Sequence, residues 1–155
     1  KRRGGHARQG HGAVEGPVGD ALDHAALVRR RVRRGRRFGR LAGVVGRRVV
    51  GTVGPWYPLY FPEPEFGWSV WDPSLEGRGY VTEAMRVLIP WTWETVGLTT
   101  AISIIDEGND ASARVAERLG ATLDEQATEA ANRPDSPHYL PDGPKARIFR
   151  HRRPA

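Results

Sequence analysis

The chain has 155 residues, enough for one domain with one buried core, whereas two independent domains would be a strain. It holds no cysteine, which excludes disulfides, thiolate metal sites and cysteine nucleophiles, and no run approaches the roughly 18 apolar residues of a membrane span. Its net charge of +6 is uneven: residues 1–48 carry 14 Lys+Arg against 3 Asp+Glu and the remainder 10 against 15, so the basicity belongs to the N-terminal third. The N-terminus is charged without an apolar core or a small-residue cleavage site, unlike a secretory signal. The expectation is a soluble, cytoplasmic protein.

Residues 1–40 are rich in Arg, Gly and Ala, with seven arginines between Arg29 and Arg37. Asp20–Val32 has the composition of a short helix, but its apolar face is thin and like charges repel at i,i+4 spacing. The segment has two readings. As a basic arm, Arg29–Arg40 would bind nucleic acid through phosphates. Alternatively, aperiodic Arg/Gly/Ala-rich sequence reads as an out-of-frame start, the reading preferred here. The domain itself is expected over residues 41–155.

Leu41–Val45 and Val49–Val53 are β-branched runs separated by Gly46-Arg47-Arg48, the pattern of a hairpin. Gly54-Pro55 is expected to break the chain, and Pro58, Pro62 and Pro64 to keep Trp56–Pro64 irregular. Phe66–Trp71 reads as a strand ended by Asp72-Pro73. Val81, Ala84, Met85, Leu88 and Ile89 fall at i, i+3, i+4, i+7 and i+8, which predicts an amphipathic helix over Val81–Val96 capped by Gly97. Pro90 costs roughly 3 kcal/mol in a helix interior and predicts a kink near Arg86–Pro90.

Thr99–Ile105 reads as a strand, and a second helix runs from an Asn109 or Asp110 cap to Leu119, closed by Gly120. Ala121–Leu123 and Ala146–His151 have strand character. Asp124–Lys145 between them reads as a long acidic loop, of a length that suggests function or disorder. The element order describes a mixed α/β, or α+β, sheet.

The segment Trp71-Asp72-Pro73-Ser74-Leu75-Glu76-Gly77-Arg78-Gly79-Tyr80-Val81-Thr82-Glu83 runs a strand into a Gly-x-Gly turn that opens a helix. Such a turn gathers unpaired backbone N–H groups at the positive end of a helix dipole, which suits a phosphate or pyrophosphate. Glycines let the backbone approach without a Cβ in the way. By itself Gly-x-Gly also fits a plain tight turn. A dinucleotide fingerprint would need glycine at Thr82, and a P-loop would need Gly-Lys-Ser/Thr.

A second block, Asn109-Asp110-Ala111-Ser112-Ala113-Arg114-Val115-Ala116-Glu117-Arg118-Leu119-Gly120, follows the next strand. With Glu65-Phe66-Gly67-Trp68 and Gly77-Arg78-Gly79-Tyr80-Val81-Thr82-Glu83-Ala84, it resembles the GNAT superfamily of N-acetyltransferases. Within that superfamily it is similar to the branch that acetylates ribosomal-protein N-termini. The resemblance covers about residues 41–123.

It implies a GNAT-like mixed sheet flanked by helices, in which strands Phe66–Trp71 and Thr99–Ile105 run parallel and splay apart around the pantetheine of acetyl-CoA. Gly77, Arg78, Gly79, Tyr80, Val81 and Thr82 would hold the pyrophosphate through backbone N–H groups. An N–H near Trp71 would polarise the thioester carbonyl. Asn109 would contact pantetheine or the incoming amine, and Ser112 would lie near the sulfur. The implied reaction is direct attack by a primary amine, with acetyl-CoA as co-substrate, no metal, and a monomer or homodimer.

Three positions depart from the family pattern. Glu76 stands where Gln or Arg is usual and must turn its carboxylate to solvent. Val81 replaces a small residue. Ala116 replaces a Tyr acid found in many relatives, which leaves Ser112 or water to protonate the thiolate. Residues 1–40 do not look like the strand and helices the family places before its hairpin.

Glu65 reads either as a general base acting through water or as an ordinary strand-edge carboxylate. Glu83 favours the helix dipole. His6, His11, His24, His138 and His151 lack metal-ligand spacing and are expected in solvated loops or tails. Trp68, Trp91 and Trp93 are expected to pack in the core, and Trp56 and Tyr57 to line an acceptor pocket. The competing function, from another class, is a non-catalytic nucleic-acid-binding protein with a degenerate GNAT-like domain.

Overall fold

The computed structural model describes residues 26–27, 41–45, 48–57 and 61–155. Among these, seven strands form one sheet in the order β1-β2-β3-β4-β5-β7-β6. They are β1 (Ala26–Leu27), β2 (Leu41–Val45), β3 (Arg48–Trp56), β4 (Glu65–Val70), β5 (Thr100–Asp106), β6 (Thr122–Leu123) and β7 (Ala146–Arg152). Three helices accompany them: α1 (Tyr80–Trp91), α2 (Asp110–Arg118) and α3 (Glu125–Ala131). All pairings are antiparallel except β4–β5. The expected mixed α/β architecture is what forms.

Several local expectations are corrected. Gly54-Pro55 does not break the chain. β3 continues through it to Trp56, because Gly54 takes φ 143 and Pro55 still pairs with Phe66 across the ladder. Ala26–Leu27, inside the stretch considered for a helix, is a strand paired with Gly43 and Val44. The sheet therefore takes in two residues of the segment set apart at 1–40. The remainder of the Arg-rich stretch lies outside the described residues.

α1 buries Ala84, Met85, Leu88 and Ile89, the stripe that the periodicity predicts. Pro90 sits inside α1, but the departure from α geometry comes later, as a π turn over Thr92–Val96 that ends on Gly97 in the left-handed conformation. Pro90 and Arg86 are both exposed, so the carbonyl that loses its partner at Arg86 lies on the solvent side. Deeper in, Thr92 donates its hydroxyl to the Leu88 carbonyl at 2.8 Å.

Asp124–Lys145 is not all loop. Asp124 accepts from the Ala127 amide at 3.0 Å and caps α3. α3 is fastened to β7 mainly by polar groups. Ile148 N–H donates to Thr128 Oγ1 at 2.9 Å, while Asn132 accepts from the Ala146 amide and donates to its carbonyl, at 2.9 and 2.8 Å. Arg150 adds an ion-pair clamp, reaching Asp124 at 2.5 Å and Glu63 at 2.6 and 3.0 Å.

The sheet has two differently covered faces. Phe66, Val53, Ala101 and Trp93 pack with α1, and Ile105 and Phe149 with α2. Ile102 and Ile148 face the other way, under Ala131 of α3. Side chains alternate along a strand, so Glu65, Gly67 and Ser69 of β4 belong to the α3 face, and Phe66 and Trp68 to the α1/α2 face.

Candidate active site

β4 stops at Val70. Asp72 then accepts from the Ser74 amide and hydroxyl at 3.0 and 2.7 Å and sets a short 3-10 turn over Pro73–Leu75. Gly77 and Gly79 follow with φ of 71° and 84°, a left-handed geometry that side-chain-bearing residues rarely take. Gly79 caps α1 without a side chain, and the first intrahelical bond runs from the Glu83 amide to the Gly79 carbonyl at 2.9 Å. The amides of Tyr80, Val81 and Thr82 therefore have no partner within the helix. A Cβ built at Gly77 or Gly79 meets nothing within 4 Å. Arg78 and Glu76 are exposed, so the carboxylate at 76 has solvent available. The arrangement suits a bound anion through its backbone amides and the helix dipole.

Beside this loop the sheet opens. β4 and β5 share one paired step, Glu65 with Ile102, with the Ile102 amide donating to the Pro64 carbonyl at 2.9 Å. Both strands continue, to Val70 and Asp106, without further ladder. The Trp71 amide donates to Val50 O at 2.9 Å, and the Arg153 amide to Thr99 O at 2.9 Å. These fix the alternation. Odd residues of β4 bond β3 and odd residues of β5 bond β7, so the backbone groups of Trp68, Val70 and Ile104 point into the gap. An extended ligand with its own amides finds strand-like partners there. Trp71 is 60% exposed and its own amide is engaged with β3, so the nearest amide that points into the gap is that of Val70.

α1 follows β4 and α2 follows β5, so both helix N-termini lie at the carboxyl ends of the parallel pair, where ligands of open α/β sheets bind. Asn109 caps α2, its Oδ1 accepting from the Ser112 amide at 3.1 Å. Trp68 Nε1 donates to Ser112 Oγ at 3.3 Å and ties β4 to the start of α2 beneath the gap. With the indole as donor, the Ser112 hydroxyl keeps its own proton to give elsewhere. Trp68 was expected only to pack. It also packs between the α1 and α2 clusters, and its polar role was not visible in the sequence because the partner is 44 residues away.

Glu65 is buried at the last paired step, on the α3 face. Ser112 and the glycine loop serve the other face, so the gap separates the candidate base from the candidate acid. Trp56 lies directly across from Glu65 in the β3–β4 register and is partly exposed. A cleft of about 270 Å³ opens on the same face between Pro62, Glu63, Ile102, α3 and Asp135–His138.

Two histidines depart from the expected solvated state. His138 is half-buried, edge-on to Phe61 at 4.6 Å, and burial pushes its pKa down against the opposing pull of Glu63. His151 is 2% exposed, and burial pushes its pKa down to about 4. The strand pattern of Ala146–Arg152 turns this ring onto the α1 face, where it meets Ser103 and Phe66. Among the described residues no group of His, Asp or Glu side chains could hold a metal ion.

Comparison with known proteins accords with this geometry. The family model of the acetyltransferase (GNAT) domain matches residues 14–122, which takes in part of the Arg-rich segment. No curated protein matches. A crystal structure of the acetyltransferase from Agrobacterium tumefaciens str. C58 is 34% identical, with a TM-score of 0.58 over 74% of this chain and 61% of that one. Two more distant structures share the fold. The ribosomal-protein-S5-alanine acetyltransferase from Vibrio fischeri is 21% identical, with a TM-score of 0.54 over 73% of this chain and 61% of that one. The microcin C7 self immunity acetyltransferase MccE, solved with acetyl-CoA and AMP, is 16% identical, with a TM-score of 0.54 over 74% and 60%. The chain thus spans about six tenths of the length of these structures. From the matched domain, the 34% identity and the parted strands beside a Gly-x-Gly helix start, the chain belongs to the GNAT acetyltransferase family.

Proposed function

We propose that the chain transfers an acetyl group from acetyl-CoA to a primary amine by direct attack. The observation that carries this reading is the gap between β4 and β5, which ends at the orphan amides of Tyr80, Val81 and Thr82. Pyrophosphate at those amides would leave the pantetheine arm running along the open edges of Trp68, Val70 and Ile104. Gly77 and Gly79 supply the close approach.

Each residue's part follows from its side of the gap. The Val70 N–H, which points inward, takes the polarising role expected of an amide near Trp71. Glu65, on the α3 face and directly across the ladder from Trp56, receives the proton of the attacking amine through water. As the C–N bond forms and the C–S bond breaks, the Ser112 hydroxyl passes its proton to the leaving thiolate and takes one back from water. Asn109, already capping α2 through Oδ1, has its amide nitrogen left for the ligand. The acceptor class is a protein N-terminus or a small amine.

A thiol-release assay with acetyl-CoA and a panel of peptide N-termini, amino acids and polyamines tests the proposal. Amine-dependent release is expected for at least one class. Release with none of them, from a folded protein that binds acetyl-CoA, would contradict amine transfer.

A further inference from the structure

The β4–β5 ladder stops after one step, and the first β5 side chain beyond it is Ser103. Were the parallel pairing to continue, the Ile104 amide would donate to the Phe66 carbonyl. That carbonyl instead accepts from Ser103 Oγ at 2.7 Å. A hydroxyl has one proton, and with it given to Phe66 the oxygen serves only as acceptor toward His151 Nε2, 3.0 Å away. His151 is therefore the tautomer protonated at Nε2, and its buried Nδ1 has no partner. The ring stands edge-on to Phe66 at 5.3 Å and 87°. Ser103 is 1% exposed and His151 2%. The depressed pKa of His151 keeps the ring neutral, so it stays a single-proton donor to Ser103 at neutral pH.

We propose that Ser103 and His151 form a positioning pair that ends the β4–β5 ladder and so sets the width of the groove between the strands. The hydroxyl competes with the Ile104 amide for the Phe66 carbonyl, and the imidazole fixes the direction of that hydroxyl. Neither side chain touches reacting atoms; both act through the strand edges. The consequence for turnover rests on reading the groove as the acetyl-CoA site, whereas the consequence for strand pairing does not.

Two readouts on the full chain test this. In Ser103→Ala the Phe66 carbonyl is freed, the ladder closes by one step, and exchange of the Ile104 amide, followed by NMR, slows by about tenfold or more. KM for acetyl-CoA rises by about tenfold while kcat at saturation stays within about threefold. Ser103→Cys, close in volume and a weak donor, is read the same way if the alanine variant does not fold. His151→Gln, which keeps an N–H donor, should lie nearer the wild type than His151→Leu in both readouts. Unchanged Ile104 exchange in a folded Ser103 variant would overturn the pair, as would equal behaviour of His151→Gln and His151→Leu. If the wild type binds no acetyl-CoA, the functional reading fails, and Ile104 exchange alone still decides the pairing claim.

Discussion

Ser112 and Glu65 sit on opposite faces of the parted strands, and their proposed proton transfers separate in kinetics. The Ser112 contact strengthens as the thiolate forms, so Ser112→Ala should lower kcat on the order of tenfold with acetyl-CoA affinity nearly intact. Weakened binding with unchanged turnover would make the hydroxyl a cofactor contact only. Glu65→Gln should lower kcat/KM by roughly 10²–10⁴, most at low pH where the amine is protonated. A flat pH profile of the loss would leave Glu65 a polar contact at a strand end. His151 makes a prediction about stability. The unfolded ring takes a proton near pH 6.5, whereas the folded one resists until about 4. Its contribution is present above 6.5 and is lost as pH falls toward 4, amounting to about 3 kcal/mol. His138 shifts in the same direction. Urea midpoints against pH should show this part of the slope in the wild type and lose it in His151→Gln; parallel curves would refute the assignment.

At the scale of elements, α3 shows how a helix can be held without an apolar stripe. Thr128 and Asn132, four residues apart on one face, take the place of a neighbouring strand along β7. Asn132→Ala would leave both the amide and the carbonyl of Ala146 without their partner and should cost about 2 kcal/mol in chemical denaturation. A change below a few tenths would mean water replaces the amide. The same feature explains why α3 was not legible in the sequence. Glu125–Ala131 buries only Ala131, so hydrophobic periodicity had nothing to report. α1 was legible for the opposite reason, since four of its five stripe residues are buried. Gly77 and Gly79 were legible as a turn because positive φ leaves a compositional mark. The Trp68–Ser112 and Ser103–His151 bonds span more than 40 residues of sequence each and leave none.

For the whole molecule, the fold class and, α3 excepted, the order of elements from Leu41 onward were readable because strands and helices alternate with Gly and Pro punctuation. The place of β6 outside β7 was not, because Thr122–Leu123 is two exposed residues with no pattern. As proposed, this sheet, parted at β4–β5 and flanked by the α1 N-terminus, is an acetyl-CoA site. Calorimetric titration of acetyl-CoA into the wild type and Gly79→Val tests it most directly. At φ +84°, valine costs about 1–2 kcal/mol of strain but meets no protein atom within 4 Å, so the fold should persist by circular dichroism. Saturable one-to-one binding to the wild type and its loss in Gly79→Val are expected. Equal affinity in the two folded proteins, or no binding to the wild type, would contradict the proposal.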